Sequence, residues 1–84
     1  MITGRQVAAA RALLGMKQST LADISSISIE TMRRIEASKD VPPVMKNNMQ
    51  MVIANLEDMG IVFIAEAMAG RGVRLRAPES AHAA

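Results

Sequence analysis

Along the first sixty positions the apolar residues recur at the three-and-four spacing of amphipathic helices, and beyond them the rhythm shortens to two. Val7, Ala10 and Leu14 fall on one face of a helix expected from about Gly4 to Leu14. Thr3 followed by Gln6 fits a capping box, and Gly15 suits a left-handed stop. A second, short helix is expected over Gln18 to Ile24, burying Leu21, Ala22 and Ile24, before Ser25 and Ser26 break the pattern. Ser28 is a good N-cap for a third helix running to about Ala37. "SKDVPP" reads as a loop, and Pro43 suits the first turn of a fourth helix reaching about Asp58, stopped by Gly60. Its wide apolar arc takes in Met45, Met49, Val52, Ile53, Leu56 and Met59, with Lys46, Gln50 and Glu57 opposite.

Beyond Gly60 the chain changes character. "IVFI" is rich in β-branched and aromatic residues and predicts a strand at 61–65. "AGRG" supplies turn glycines, and "VRLR" alternates, with Val73 and Leu75 on one face, so a β-hairpin is expected. The last eight residues, "APESAHAA", read as a disordered tail. The expected organisation is a helical domain over 1–60, a hairpin over 61–76 and a tail over 77–84.

Composition narrows the classes. Eighty-four residues make at most one domain, and the absence of cysteine leaves stability to packing alone. Half the residues are hydrophobic, but only Phe63 is aromatic and eight are methionine, which predicts a soft aliphatic core. No apolar run approaches the ~20 residues that span a bilayer. The start, "MITGRQ", lacks a signal-peptide core, so a cytoplasmic protein is expected. The net charge of +2 is modest, but its distribution is uneven. Residues 1–40 carry six basic and four acidic side chains, residues 41–68 one and three, and residues 69–84 three and one. Both flanks are therefore basic, a weak cue for phosphate.

On a helical wheel the third helix turns Met32 and Ile35 one way, with Ser28 and Glu36 beside them. Glu30, Arg34 and Ala37 point the other way, Arg33 lies on the flank, and Ile29 sits at the edge of the first turn. A short second helix and the "SSIS" break suit a helix-turn-helix, whose second helix enters the DNA major groove. Arginine can donate two bonds to guanine and glutamate can accept from cytosine. Equally, Glu30 and Arg34 are four apart in the favourable order and can pair with each other on a solvated face.

The stretch "ARALLGMKQSTLADISSISIETMRRIEASKDVPP" resembles the Cro/repressor-type helix-turn-helix regulators called the XRE family. The resemblance covers residues 3 to 60. "ARALLG", "LEDMGIVFI" and "GVRLR" together look like a bacterial subgroup of small regulators in which a β-hairpin follows the helices. It implies a mainly α, lambda-repressor-like bundle of about four helices and a role in binding double-stranded DNA to regulate transcription. Position by position, Ser28, Ile29, Glu30, Arg33 and Arg34 match base-reading positions. Lys17, Gln18 and Lys39 match the phosphate-contacting side, Gln18 also buttressing the reading helix. Arg11 and Glu36 match a structural salt bridge between the first and third helices. Three departures are visible: Ser26 stands where glycine is common in the turn, Lys17 replaces a usual capping residue, and Ser38 replaces a glycine after the third helix.

A lone two-stranded hairpin is marginal in water. One expectation is that two chains share their hairpins through Ile61, Phe63, Val73 and Leu75, giving a homodimer over an inverted repeat; the other is that the hairpin covers the fourth helix of its own chain. Arg71, Arg74 and Arg76 read chiefly as solubilising edge charges. Besides a transcription regulator, the sequence admits an antitoxin or other protein-interaction module. Enzyme classes fail on inventory, with one histidine, His82, in the tail, and no glycine-rich phosphate loop or metal-ligand spacing. No cofactor or metal is expected, and RNA binding is disfavoured by the shortage of aromatic residues.

Overall fold

The computed structural model describes residues 2–64 and 70–76. Four helices, α1 (Gly4–Leu13), α2 (Gln18–Ile24), α3 (Ile29–Ala37) and α4 (Lys46–Asp58), precede an antiparallel pair, β1 (Ile61–Ile64) and β2 (Gly72–Leu75). The protein is thus small and mainly helical, with a hairpin after the helices. The tail over 77–84 and the end of the first expected strand lie outside the described residues.

Local chemistry sets the ends of the helices. At the start of α1 the Gln6 amide donates to Thr3 Oγ1 at 3.2 Å, and the Thr3 amide donates to Gln6 Oε1 at 2.9 Å. Both halves of the capping box are therefore made. α1 and α2 end alike. Met16 N–H reaches Arg11 O and Gly15 N–H reaches Ala12 O; Ile27 N–H reaches Ala22 O and Ser26 N–H reaches Asp23 O. Each is a Schellman closure, which needs a left-handed residue at its corner. Gly15 supplies it at φ 65°, whereas the second corner is Ser26 at φ 56°. A serine there carries about 1 kcal/mol of strain. Glycine relieves it at an entropic cost of about 0.5 kcal/mol. Ser26→Gly is therefore expected to raise stability by about 0.5 kcal/mol, read as a higher melting temperature; a fall would show that the serine has a compensating role.

The start of α4 differs from expectation. Pro43 does not open the helix, which begins at Lys46 with Met45 as its N-cap. Val44 N–H turns back to Pro42 O at 2.9 Å, a three-residue turn centred on Pro43. That turn uses the fixed proline φ but a non-helical ψ, and Pro43 also bars Pro42 from helical geometry. Met45 is consequently 70% exposed instead of joining the apolar arc. α1 ends one residue early, with Leu14 as its C-cap.

One core serves every helix and the first strand: Val7 and Ala10 from α1, Leu21 and Ala22 from α2, Met32 and Ile35 from α3, Val52 and Leu56 from α4, and Ile61 from β1. Ile24, expected in this core, is 47% exposed. It occupies the last turn of α2, where its carbonyl accepts from Asn55 Nδ2 at 3.2 Å.

The register pairs Ile61 with Leu75, Val62 with Arg74, Phe63 with Val73 and Ile64 with Gly72. Ile61 is buried, and Phe63 and Val73 pack partly against the core. Three of the four residues expected at a dimer interface therefore cover the chain's own helices, because one sheet face cannot serve both purposes. Leu75, 46% exposed, is the exception. Gln6 fastens the far end of the hairpin. Its Nε2 donates to Ile64 O and to Gly72 O, each at 3.0 Å, and so bridges both strands. Gln6→Ala removes these bonds and half the capping box, leaving partly buried carbonyls unpaired. We expect a loss of about 2 kcal/mol by urea denaturation; a loss under about 0.5 kcal/mol would mean that water replaces the amide freely.

Candidate functional site

α3 is the element whose two sides differ most. Inward, Met32 and Ile35 are fully buried. Beside them Arg11 grips Glu36 through Nε to Oε2 at 2.8 Å and Nη2 to Oε1 at 2.9 Å, while its Nη1 donates to Met16 O at 2.9 Å. The Glu36 side chain is only 7% exposed. The hydrogen bond from Arg11 to Glu36 raises the Arg11 pKa above its already alkaline value, against the opposing effect of burial. The guanidinium therefore stays charged at every working pH.

Outward, Glu30, Arg33 and Arg34 are exposed. Among the described residues none of them forms a salt bridge or a side-chain hydrogen bond, so the Glu30–Arg34 pairing allowed by their spacing is not made. Thr31 and Arg34 instead border a depression of about 520 Å³ completed by Pro43, Val44, Met45 and Asn48. Sequence reasoning missed Thr31 and Asn48. A polar residue in the first turn of α4 carries no local cue that it will face α3.

The remaining expected positions divide between capping, packing and open surface. Ser28 is exposed, but its hydroxyl is occupied in capping: it accepts from Thr31 N at 3.1 Å and donates to Thr31 Oγ1 at 2.9 Å. Ile29 does not stand outward as a base-reading residue would; it is half-buried and packs against the core, since the first turn of α3 leans on the body. Lys17 is exposed and Gln18 half-buried at the start of α2. Lys39 is exposed beyond the end of α3, but it opens onto a different cleft from Arg34, one shared with Arg5 and Arg71. The structure therefore gathers Arg34 with Thr31 and Asn48, and leaves Lys39 apart.

The turn between α2 and α3 is held from behind. Asn55 Nδ2, on α4, donates to Ser25 Oγ at 3.1 Å as well as to Ile24 O, and Ser25 is buried. α3 is thereby fixed at its start by α4 and at its end by Arg11. Such a helix presents its outer side chains without having to order its own backbone on contact with a partner.

Among the described residues no group of three or more His, Asp or Glu side chains is placed to hold a metal ion. No described helix is long and apolar enough to cross a membrane. The chain matches no model of a known protein family, and no curated protein matches it.

Proposed function

We propose that this chain is a sequence-specific DNA-binding regulator of transcription, in which α2 and α3 form a helix-turn-helix of the Cro/repressor type. The observation that carries the reading is the division of α3. Its inner side is locked by Met32, Ile35 and the Arg11–Glu36 pair, while Glu30, Arg33 and Arg34 stand exposed on its outer side and, among the described residues, unpaired. Charged groups left without partners on a rigidly held helix suit an external polar surface. The major groove offers one: guanine O6 and N7 accept two bonds from an arginine, and cytosine N4 donates to a glutamate. Lys17, Gln18 and Lys39 take the phosphate side. The proposal includes no cofactor and no catalysis.

Binding as a homodimer is part of the same reading, with half-sites about one turn, roughly 34 Å, apart. The joining surface is then not the face of Ile61, Phe63 and Val73, which the chain uses for itself, but the opposite face of the hairpin, where Val62 and the exposed Ile64 lie. Footprinting upstream of the chain's own gene, at fixed salt with competitor DNA, tests both parts. Protection of an inverted repeat supports the dimeric reader, a single protected half-site removes the dimer, and only competitor-sensitive binding removes sequence reading.

Arg34 and Lys39 separate the two kinds of contact. Arg34→Ala is expected to weaken the cognate site by about 1–3 kcal/mol more than a scrambled one. Lys39→Ala weakens both alike and lowers the salt slope by about one unit. Equal losses on both sites for Arg34→Ala would withdraw it from base reading. A second reading, a protein-interaction module such as an antitoxin, draws on Ile24 and Met51, both about half exposed. A pull-down with the product of a neighbouring gene would test it.

A further inference from the structure

The turn before α4 holds a side chain with no structural task. Met45 occupies the N-cap position of α4, where its side chain makes no capping bond. Serine, threonine, aspartate or asparagine is favoured there, because each satisfies an amide that methionine leaves open. Nor does Met45 serve the core: at 70% exposed it is the most exposed large apolar side chain among the described residues. The backbone that presents it is firmly set. Val44 N–H closes back on Pro42 O, Val44 packs against the core, and Pro43 has its φ fixed by its ring. A methionine here forgoes a cap and leaves apolar surface in water, and stability gains from neither.

What Met45 does have is a particular neighbour. With Pro43 and Val44 it forms the apolar side of the depression of about 520 Å³ that Thr31 and Arg34 border from α3. Arg34 is exposed and, among the described residues, unpaired. One concavity thus joins a free guanidinium fork, which suits guanine O6 and N7, to an apolar surface. Base edges in the major groove carry a single kind of apolar group in unmodified DNA, the C5 methyl of thymine. Stacked bases lie about 3.4 Å apart, so a depression of this size reaches neighbouring base pairs. We propose that it reads a thymine in the base pair next to the guanine bound by Arg34, with Met45 packed on the thymine methyl. The inference rests on the DNA-binding reading and deepens it: a charged and an apolar contact fall on one base step, and the apolar one comes from outside the reading helix.

Selection by the full chain from a pool of random duplexes defines the bound site. Each thymine in that site is then replaced in turn by deoxyuridine, whose base lacks only the methyl. Affinities at fixed salt are compared for the wild-type chain and Met45→Ser. Serine is a favoured N-cap, so this variant should melt higher than the wild type, and a lost contact cannot be mistaken for a lost fold. The expected result is one sensitive thymine in each half-site, beside the guanine whose preference disappears in Arg34→Ala. There uracil weakens the wild type roughly fourfold, the worth of one buried methyl group, and leaves Met45→Ser unchanged. If the wild type tolerates uracil at every thymine, if Met45→Ser suffers the same loss, or if the sensitive thymine lies away from that guanine, this inference falls and the DNA-binding reading stands. If no sequence is enriched from the pool, sequence reading itself falls and takes the thymine contact with it.

Discussion

An alanine at position 4 is expected to cost about 3 kcal/mol, a large share of what holds a small domain folded. Helix propensity argues the other way, since alanine is favoured over glycine inside a helix by about 1 kcal/mol. Packing decides. A methyl group on Gly4 would fall within the van der Waals envelope of the Ile35 carbonyl oxygen and 2.7 Å from that of Ser38. Both obstacles are backbone, so no side chain can swing aside. The Gly4 amide also donates to Asp40 O at 3.1 Å, which fixes α1 against the chain leaving α3. Relief requires the two segments to separate, straining that bond and the nearby ion pair together. Urea denaturation of Gly4→Ala should show a lower midpoint with an unchanged slope. A loss under about 1 kcal/mol would mean that the α1–α3 contact yields easily.

The second large effect concerns that ion pair. Arg11→Met should cost about 3 kcal/mol, because it leaves the nearly buried Glu36 carboxylate without its partner. The Met16 carbonyl also loses its donor. Adding Glu36→Gln should recover part of the loss, since a neutral group tolerates the same surroundings better. A double-mutant cycle measures the coupling, and simple additivity of the two substitutions would show that the pair acts as two independent charges. The raised Arg11 pKa fixes the sign of any pH effect. Its contribution is fully present below the unfolded-state value and is lost only as pH climbs through the still higher folded one. Arg11 titration therefore adds no pH dependence to stability near neutrality.

The legible parts of this fold are those with local signals. Thr3 and Gln6, Gly15, Ser28 and Gly60 mark ends within a few residues of the atoms they satisfy, and the helix boundaries follow. Ile24 departs from expectation because seven residues of helix hardly fix the phase of an apolar stripe. Pro43 departs because a proline fits both a first helical turn and the turn before one. The hairpin is legible as a hairpin, but Val62 and Ile64 are as apolar as Ile61 and Phe63. Alternation therefore cannot tell which face meets the helices. Gly4, Gln6 and Asn55 owe their importance to partners 30 to 66 residues away, about which neighbouring sequence is silent. At the candidate site, helical geometry alone places Arg34 outward; whether Glu30 occupies it depends on rotamers that spacing does not decide.

The pair of hydrogen bonds from Gln6 to the hairpin has a consequence in time. It joins residues 58 and 66 positions apart, while α2 and α3 meet across a short turn. Closing such long loops is entropically costly and is favoured only after something has already collapsed. The helices should therefore associate first, and the Gln6 contacts should form on the native side of the folding barrier. They act as a latch that governs how long the protein stays folded more than how fast it gets there. In a chevron of Gln6→Ala the change should appear in the unfolding limb, and a shift confined to the folding limb would place the latch in the nucleus instead.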